Sequence, residues 1–326
     1  MTSAFDLLVV GDANPDVVLS GVPRELPFGQ REQLVTAGAI TLGGSGAITA
    51  CGAARLGLRT AFVGRVGDDE LGRFVLDTLT GRGVDVTRCV IDPEVATALT
   101  VILVDGGDRA VLTATGCLPL LGIEDIDPEL VHAAQHVHVS SYFLQPRLAA
   151  GLPTWLADIR SRGASTSLDT NDDPSGMWDD GVAAAIAQTD VMLPNEAEAL
   201  ALAGRTDGDV IAACRDLAMT SGLPVVKRGA RGALAWSDGE PVTVPGLAVE
   251  PVDTVGAGDS FDAGFLAGWL GGRGLSASLR LAAACGSLST RAVGGVAAQP
   301  TLAEALAAIE RPGPDAAAGL TRIGLR

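Results

Sequence analysis

Aromatic side chains make up only 4% of this 326-residue chain, so its core must be assembled mainly from alanine, valine and leucine. No block of five or more lysines and arginines occurs, and 39 acidic residues outweigh 23 basic ones, for a net charge of −16. That balance excludes a basic nucleic-acid-binding face and disfavours an anionic membrane surface. Any phosphate must then be held locally, by backbone amides or a few placed cations, because the overall field repels it. Five cysteines (Cys51, Cys89, Cys117, Cys214 and Cys285) form no CxxC pair. An odd, scattered set reads as free thiols in a reducing compartment. No run of 18 apolar residues is present, and the N-terminus lacks a basic region or a cleavage-like signature. The expected location is cytoplasmic, with neither nucleic acid nor membrane as partner.

What the chain does have is 47% apolar residues, enough for a sizeable core, and 42 glycines without collagen-like period. Short apolar runs at Asp6–Val10, Thr60–Val63, Ala164–Leu168, Val191–Leu193 and Pro224–Val226 read as strands. Helical patterns at Ile48–Leu56, Glu70–Thr80, Arg147–Ser161 and Val210–Thr220 alternate with them. This alternation predicts an α/β fold of βαβ units with a mostly parallel central sheet. Ligands would gather at the carboxyl ends of its strands. Four further segments interrupt the rhythm: Asp16–Ser20, Gln33–Thr41, Thr97–Val104 and Arg109–Thr115, the last two flanking the turn Asp105-Gly106-Gly107-Asp108. They predict a small separate β-sheet, placed as a lid over the larger one. The expected division is one domain over 1–310, with lid segments near 16–41 and 97–115, and a C-terminal extension over 311–326.

The strongest local signal is Asp253-Thr254-Val255-Gly256-Ala257-Gly258-Asp259-Ser260-Phe261, followed by a helix-length run of small and apolar residues. A small-residue turn opening a helix leaves several N–H groups unpaired at the positive end of the macrodipole. That is an anion site suited to phosphoryl oxygens. Asp259, in the first turn, is expected to stay ionised and to accept a proton from a substrate hydroxyl. The bland reading of the same residues is a helix with Asp259 as a dipole partner.

This segment resembles the signature D-T-x-G-A-G-D-x-F of the ribokinase-like (PfkB-type) carbohydrate kinases and matches it throughout. Other family landmarks follow in order. Gly43-Gly44 with its small-residue helix and Gly64-Arg65-Val66-Gly67-Asp68-Asp69 resemble the N-terminal signature. Asn195-Glu196-Ala197-Glu198 matches the N-x-x-E motif, and Lys227-Arg228-Gly229-Ala230-Arg231-Gly232 resembles the nucleotide-side glycine turn. The likeness spans roughly residues 5–310 and implies a Rossmann-like three-layer α/β/α domain with a small β-sheet lid. It implies that Gly256, Ala257 and Gly258 form an anion hole with Asp259 as catalytic base. Asn195, Lys227, Gly229 and Gly232 would face ATP, with Glu198 holding Mg²⁺ through water. Asp253 and the backbone near Val255 match positions that hold an activating monovalent cation, K⁺, in many members. On the sugar side, Asn14 and Asp16 match G-x-x-N-x-D, whose side chains bind hydroxyls. Gly43, Gly44 and Ser45 belong to the same side, where the glycines would let the backbone approach the ligand. Asp169 and Asn171 resemble the D-x-N segment of fructose- and ketogluconate-type members.

One departure matters: Ile48 stands where the family commonly has Asn, so no particular sugar follows from the likeness. The reading is an ATP-dependent kinase for a sugar or sugar acid, with a homodimer formed through the lid. Two rivals are a nucleoside kinase of the same fold, with stacking from Tyr142, Phe143 or Phe28, and a sugar sensor without turnover. His132, His136 and His138 lack HExxH order and do not read as a metal site.

Overall fold

The first strand dictates the layering. In Phe5–Val10, Leu7 and Val9 enter one apolar cluster while Leu8 and Val10 enter another, and all four are fully buried. A strand buried on both faces needs helices on both. A computed structural model, describing residues 3–105, 108–179 and 181–310, shows that arrangement.

Its strands, in chain order, are β1 (Phe5–Val10), β2 (Asn14–Ser20), β3 (Ala37–Gly43), β4 (Thr60–Val63), β5 (Arg65–Gly67), β6 (Val90–Asp92) and β7 (Leu99–Asp105). Then follow β8 (Asp108–Ala114), β9 (Ala134–Ser140), β10 (Ser165–Asp169), β11 (Val191–Met192), β12 (Leu223–Lys227), β13 (Ala233–Ser237) and β14 (Glu240–Val244). The large sheet has the order β14-β13-β12-β11-β10-β9-β1-β4. Its strands run parallel except for the antiparallel β12-β13-β14 edge. The small sheet has the order β3-β2-β7-β8, and β5 pairs β6 separately. The expected fold class, a large mostly parallel sheet with a smaller one beside it, is therefore what forms. Among the described residues no helix is long and apolar enough to cross a membrane.

The differences in detail have physical causes. The first helix, expected from Ile48, begins at Ser45, because the Asp12 carboxylate accepts hydrogen bonds from the amides of Ser45 (3.0 Å) and Gly46 (2.9 Å). That cap lies 33 residues upstream, outside any local window. The strand expected over Gln33–Thr41 forms at Ala37–Gly43 instead, in antiparallel register with β2. The strand expected from Thr97 begins at Leu99. Thr97 is taken by Asp69, which accepts from its amide (2.8 Å) and hydroxyl (2.7 Å). The hairpin of β13 and β14 was not expected, although its turn Asp238-Gly239, both at positive φ, is a standard hairpin signal. Gly106 and Gly107 of the other turn, and the extension over 311–326, lie outside the described residues.

The helix Ala257–Leu270 packs most extensively against Leu275–Ser289, and Phe265, fully buried, sits in the core it shares with the sheet. Phe265→Ala should therefore destabilise the protein by about 3–5 kcal/mol, the usual cost of an emptied aromatic site. Urea denaturation checks this, and a loss under about 1 kcal/mol would mean that the helix is not held by this packing.

Candidate active site

Strand β1 lies between β4 and β9, so the chain turns to opposite sides of β1 as it adds strands. Such a switch point opens a crevice at the carboxyl ends. The loop leaving β1 carries Asp12 into it and the following strand β2 carries Asn14 and Asp16, buried at 5%, 3% and 5% exposure. Asn14 Nδ2 donates to Asp16 Oδ1 (2.9 Å) and Thr100 Oγ1 (3.1 Å), tying the start of β2 to its neighbour β7. Burial, opposed by the Asn14 hydrogen bond, pushes the Asp16 carboxyl up to about 7. A cleft of about 440 Å³ results, lined by Asn14, Asp16, Gly44, Ser45, Asn171, Asn195, Glu198, Lys227 and Asp259. Lid residues Thr100, Ile102, Arg109, Val111 and Thr113 form its roof.

The two signature glycines act differently from expectation. A Cβ at Gly43 would fall 2.1–2.4 Å from the Asp16 carboxylate, so this glycine makes room for Asp16 rather than for ligand. Gly44, at φ +86, packs on the backbone of Asp12 and Ala13, where a Cβ would come within 2.7–2.9 Å. Gly44 still lines the cleft, whereas Gly43 does not. Ser45 accepts from Asn171 Nδ2 (2.8 Å), and Asn171 Oδ1 in turn accepts from the Ser141 amide (2.8 Å). Ile48 lines the cleft as an apolar patch.

At the far end, Gly256 (φ +70) turns the chain into the helix Ala257–Leu270. A Cβ there would meet the Gly295 backbone at 2.5 Å. The Ala257 amide is spent on Thr254 O (3.3 Å), while those of Gly256, Gly258 and Asp259 have no acceptor among the described residues. The amides open to an anion are thus those of Gly256, Gly258 and Asp259, whereas the motif implied Gly256, Ala257 and Gly258. Asp259 reaches the cleft at 8% exposure. It was expected to remain ionised, and the structure corrects this. Burial, with Asp169 and Asp12 nearby, pushes its carboxyl up to about 8 against the pull of Lys227 and a Ser45 hydrogen bond.

Lys227 is the centre of a buried ion cluster. Its Nζ lies 2.6 Å from Asp169 Oδ2 and 3.2 Å from Asp262 Oδ2, with both aspartates at 1% exposure or less. Burial opposes the ammonium charge, but the neighbouring carboxyl groups, Asp169 foremost, more than offset it, so the lysine is held protonated. Asp169 therefore does not reach the cleft as expected for a substrate contact; Lys227 and the Asn171 amide engage it instead. Oxygens of Asp169, Asp259 and Asp262 lie within 4.8 Å of one another, and the Lys227 ammonium bonds Asp169 and Asp262 of the three. Asp262 was missed by sequence reasoning. Its position three residues after Asp259, on the same helix face, was the available signal.

On the other side of Lys227 lies a second pocket of about 260 Å³ with apolar walls from Leu247, Val249, Pro251, Ala257, Phe261 and Ala283. Gly229 and Gly232 line it, and a Cβ at Gly232 would strike Val244 O at 2.1 Å. Asn195 and Glu198 form a reciprocal capping box at Glu196–Leu202: Asn195 Oδ1 accepts from the Glu198 amide (3.0 Å) and Glu198 Oε2 from the Asn195 amide (2.7 Å). Both residues also line the cleft. Burial and Asp169 push the Glu198 carboxyl up to about 7. Asp253 accepts from the amides of Val255 (3.0 Å) and Gly294 (2.9 Å), folding the signature loop against the 294 turn. His136 and His138 stand on β9, where His136 bonds Ser165 and Ser167 and His138 bonds Ser167, while His132 ends a short helix.

The sequence profile of the pfkB family of carbohydrate kinases matches residues 4–302. The protein belongs to that family. It is 33% identical over 303 residues to the ATP-dependent ribose-1-phosphate kinase of Halopiger xanaduensis, covering 93% of this chain and 97% of that one. It is 33% identical over 310 residues to a fructokinase of Klebsiella pneumoniae, covering 90% and 95%. An Escherichia coli ribokinase-type protein solved with ATP and Mg²⁺ superposes with a TM-score of 0.82 at 23% identity, covering 94% of this chain and all of that one. As a pfkB kinase, the protein is a sugar phosphotransferase with an alcohol group as acceptor.

A base is active only when ionised, so if Asp259 serves as one, the burial that pushes its carboxyl up to about 8 from the ordinary 3.8 sets where activity begins. The acid limb of kcat/KM, which reports the free enzyme, should therefore lie above pH 6. A limb near pH 4 would contradict the burial argument.

Proposed function

We propose that the protein transfers the γ-phosphoryl group of ATP to a primary hydroxyl of a sugar or sugar acid, with Asp259 as general base. The observation that carries the reading is that hydroxyl-binding groups (Asn14, Asp16, Asn171) and the base with its free amides line one cleft. A carboxylate such as Asp16 accepts two hydrogen bonds and suits vicinal hydroxyls. The neighbouring apolar pocket suits the nucleobase, with Gly229 and Gly232 beneath it and Lys227 between the two sites.

The acceptor hydroxyl gives its proton to an Asp259 carboxylate oxygen while the amides of Gly256 and Gly258 receive charge on the transferring group. The lid roof excludes water, which would otherwise compete as acceptor. Glu198, an oxygen donor in an over-crowded carboxylate neighbourhood, fits a role in holding Mg²⁺ through water. When bound, Mg²⁺ neutralises phosphate charge. Asp253 and the Val255 carbonyl are assigned to a monovalent cation, which a potassium titration of activity tests. The outer lid face, with Ile40 61% and Leu112 56% exposed, is assigned to a second copy of the chain.

Arg109 refines the acceptor. It lines the cleft, bonds Thr254 Oγ1 (3.3 Å) and, among the described residues, forms no ion pair, unlike Lys227. Such a guanidinium favours an acceptor that bears a carboxylate or phosphate, alongside fructose- and ketogluconate-like sugars. A nucleoside acceptor is disfavoured, because no aromatic ring among the described residues lines the cleft: Tyr142 is buried and Phe28 is 90% exposed outside it. A pure sensor would have no use for a base.

ADP release should be screened across hexoses, pentoses, sugar acids, phosphosugars and nucleosides. Release with any sugar-type acceptor supports the reading, and release with nucleosides alone overturns it. With the best acceptor, Asp259→Asn should lower kcat by about 10²–10⁴, and turnover within threefold of wild type would remove Asp259 from the role. Asp16→Ala should cost about 1.5–3 kcal/mol of acceptor binding, or roughly 10- to 100-fold in its KM, with KM for ATP little changed. The reverse pattern would mean that the two ends of the cleft are exchanged.

A further inference from the structure

The charge balance around Asp259 does not close on the catalytic residues alone. Asp169, Asp259 and Asp262 share a buried space with a single ammonium. Three ionised carboxylates against one cation would leave two uncompensated charges out of contact with solvent, which protein interiors avoid by retaining protons. Asp262 is the innermost, at 0% exposure, one helical turn beneath Asp259. Its Oδ2 accepts from Lys227 (3.2 Å), and its Oδ1 is buried with no hydrogen-bond partner among the described residues.

We propose that Asp262 is a positioning residue: as a neutral acid bridging Asp169 and Lys227, it holds the ammonium beside Asp259 without letting it pair with that carboxylate. This rests on Asp259 being the base.

The groups facing Asp262 support the assignment. Asp169, at the end of β10, is ionised by Lys227 despite its burial, whereas burial drives the Asp262 carboxyl well above the ordinary range. A protonated Asp262 donating to Asp169 satisfies both. From β9, His138 adds no charge, since burial lowers it to about 4. Glu198 contributes to the field on Lys227 from the nucleotide side. The lysine stem runs past Gly258, where a Cβ would lie 3.6 Å from Nζ and 3.7 Å from Cδ, so the ammonium passes close to the anion turn. Two tethers, at 2.6 and 3.2 Å, fix where it stops. With only Asp169 left, the ammonium is free to swing onto Asp259 and take the lone pairs meant for the acceptor hydroxyl.

Asp262→Ala and Asp262→Asn in the full-length enzyme separate this from a space-filling role. Asparagine is neutral and keeps both a donor for Asp169 and an acceptor for Lys227. Asp262→Asn should keep kcat within threefold and leave the acid limb of kcat/KM unmoved. Asp262→Ala should lower kcat at least tenfold and move the acid limb down by one pH unit or more, with KM for ATP within threefold. The proposal is overturned if the asparagine variant moves the limb by a unit, since Asp262 would then act as an anion. It is equally overturned if a folded alanine variant keeps wild-type kcat and limb. Should the alanine variant not fold, the asparagine variant alone decides. Because Asp259→Asn tests the base separately, failure of that role and failure of this one are distinguishable.

Discussion

One ammonium among carboxylates is the constraint on which the site depends. Lys227 comes from the end of β12, Asp169 from the end of β10, and Asp262 from the helix that begins at the glycine turn. Taking such groups out of water is expensive, and their mutual attraction recovers the cost only when geometry and hydrogen bonding are good. The cluster therefore works as a clamp: it fixes the helix start against the carboxyl edge of the sheet, and so fixes where the free amides point. The apolar helix pair behind it supplies the stability that a buried ion cluster does not.

The layer architecture was legible because its signal is local and periodic. Alternation in Phe5–Val10 already demands two apolar faces, and the glycine turn before Asp259 already implies unpaired amides. What escaped were partnerships across distance. Asp12 caps a helix 33 residues later, Thr97 leaves its strand to bond Asp69, and Asp169 turns from the cleft to a lysine 58 residues away. No window of sequence contains both members of these pairs. The protonation of Asp259 was misread for the same reason, since a first-turn position argues for ionisation while burial beside Asp169 and Asp12 argues against it.

Glycine roles were legible as positions but not as reasons. Gly43 and Gly44 are required, yet the groups that require them are the Asp16 carboxylate and the Asp12–Ala13 backbone, not a ligand. Substituting either would disturb the sugar side from within the protein. A motif thus marks where side chains cannot fit without saying what occupies the space.

The two ends of the cleft belong to different bodies of the fold. Asp16 and Arg109 ride on β2 and β8 of the small sheet, whereas Asp259 is rooted in the helix layer of the large one. Any rotation of one sheet against the other changes the gap between hydroxyl-binding groups and base. Measured acceptor affinity is then a product: the intrinsic affinity of the aligned form multiplied by the fraction of molecules in which the sheets are aligned. A substitution in a segment that leaves the small sheet, such as 115–117 after β8, would weaken acceptor binding through that fraction alone.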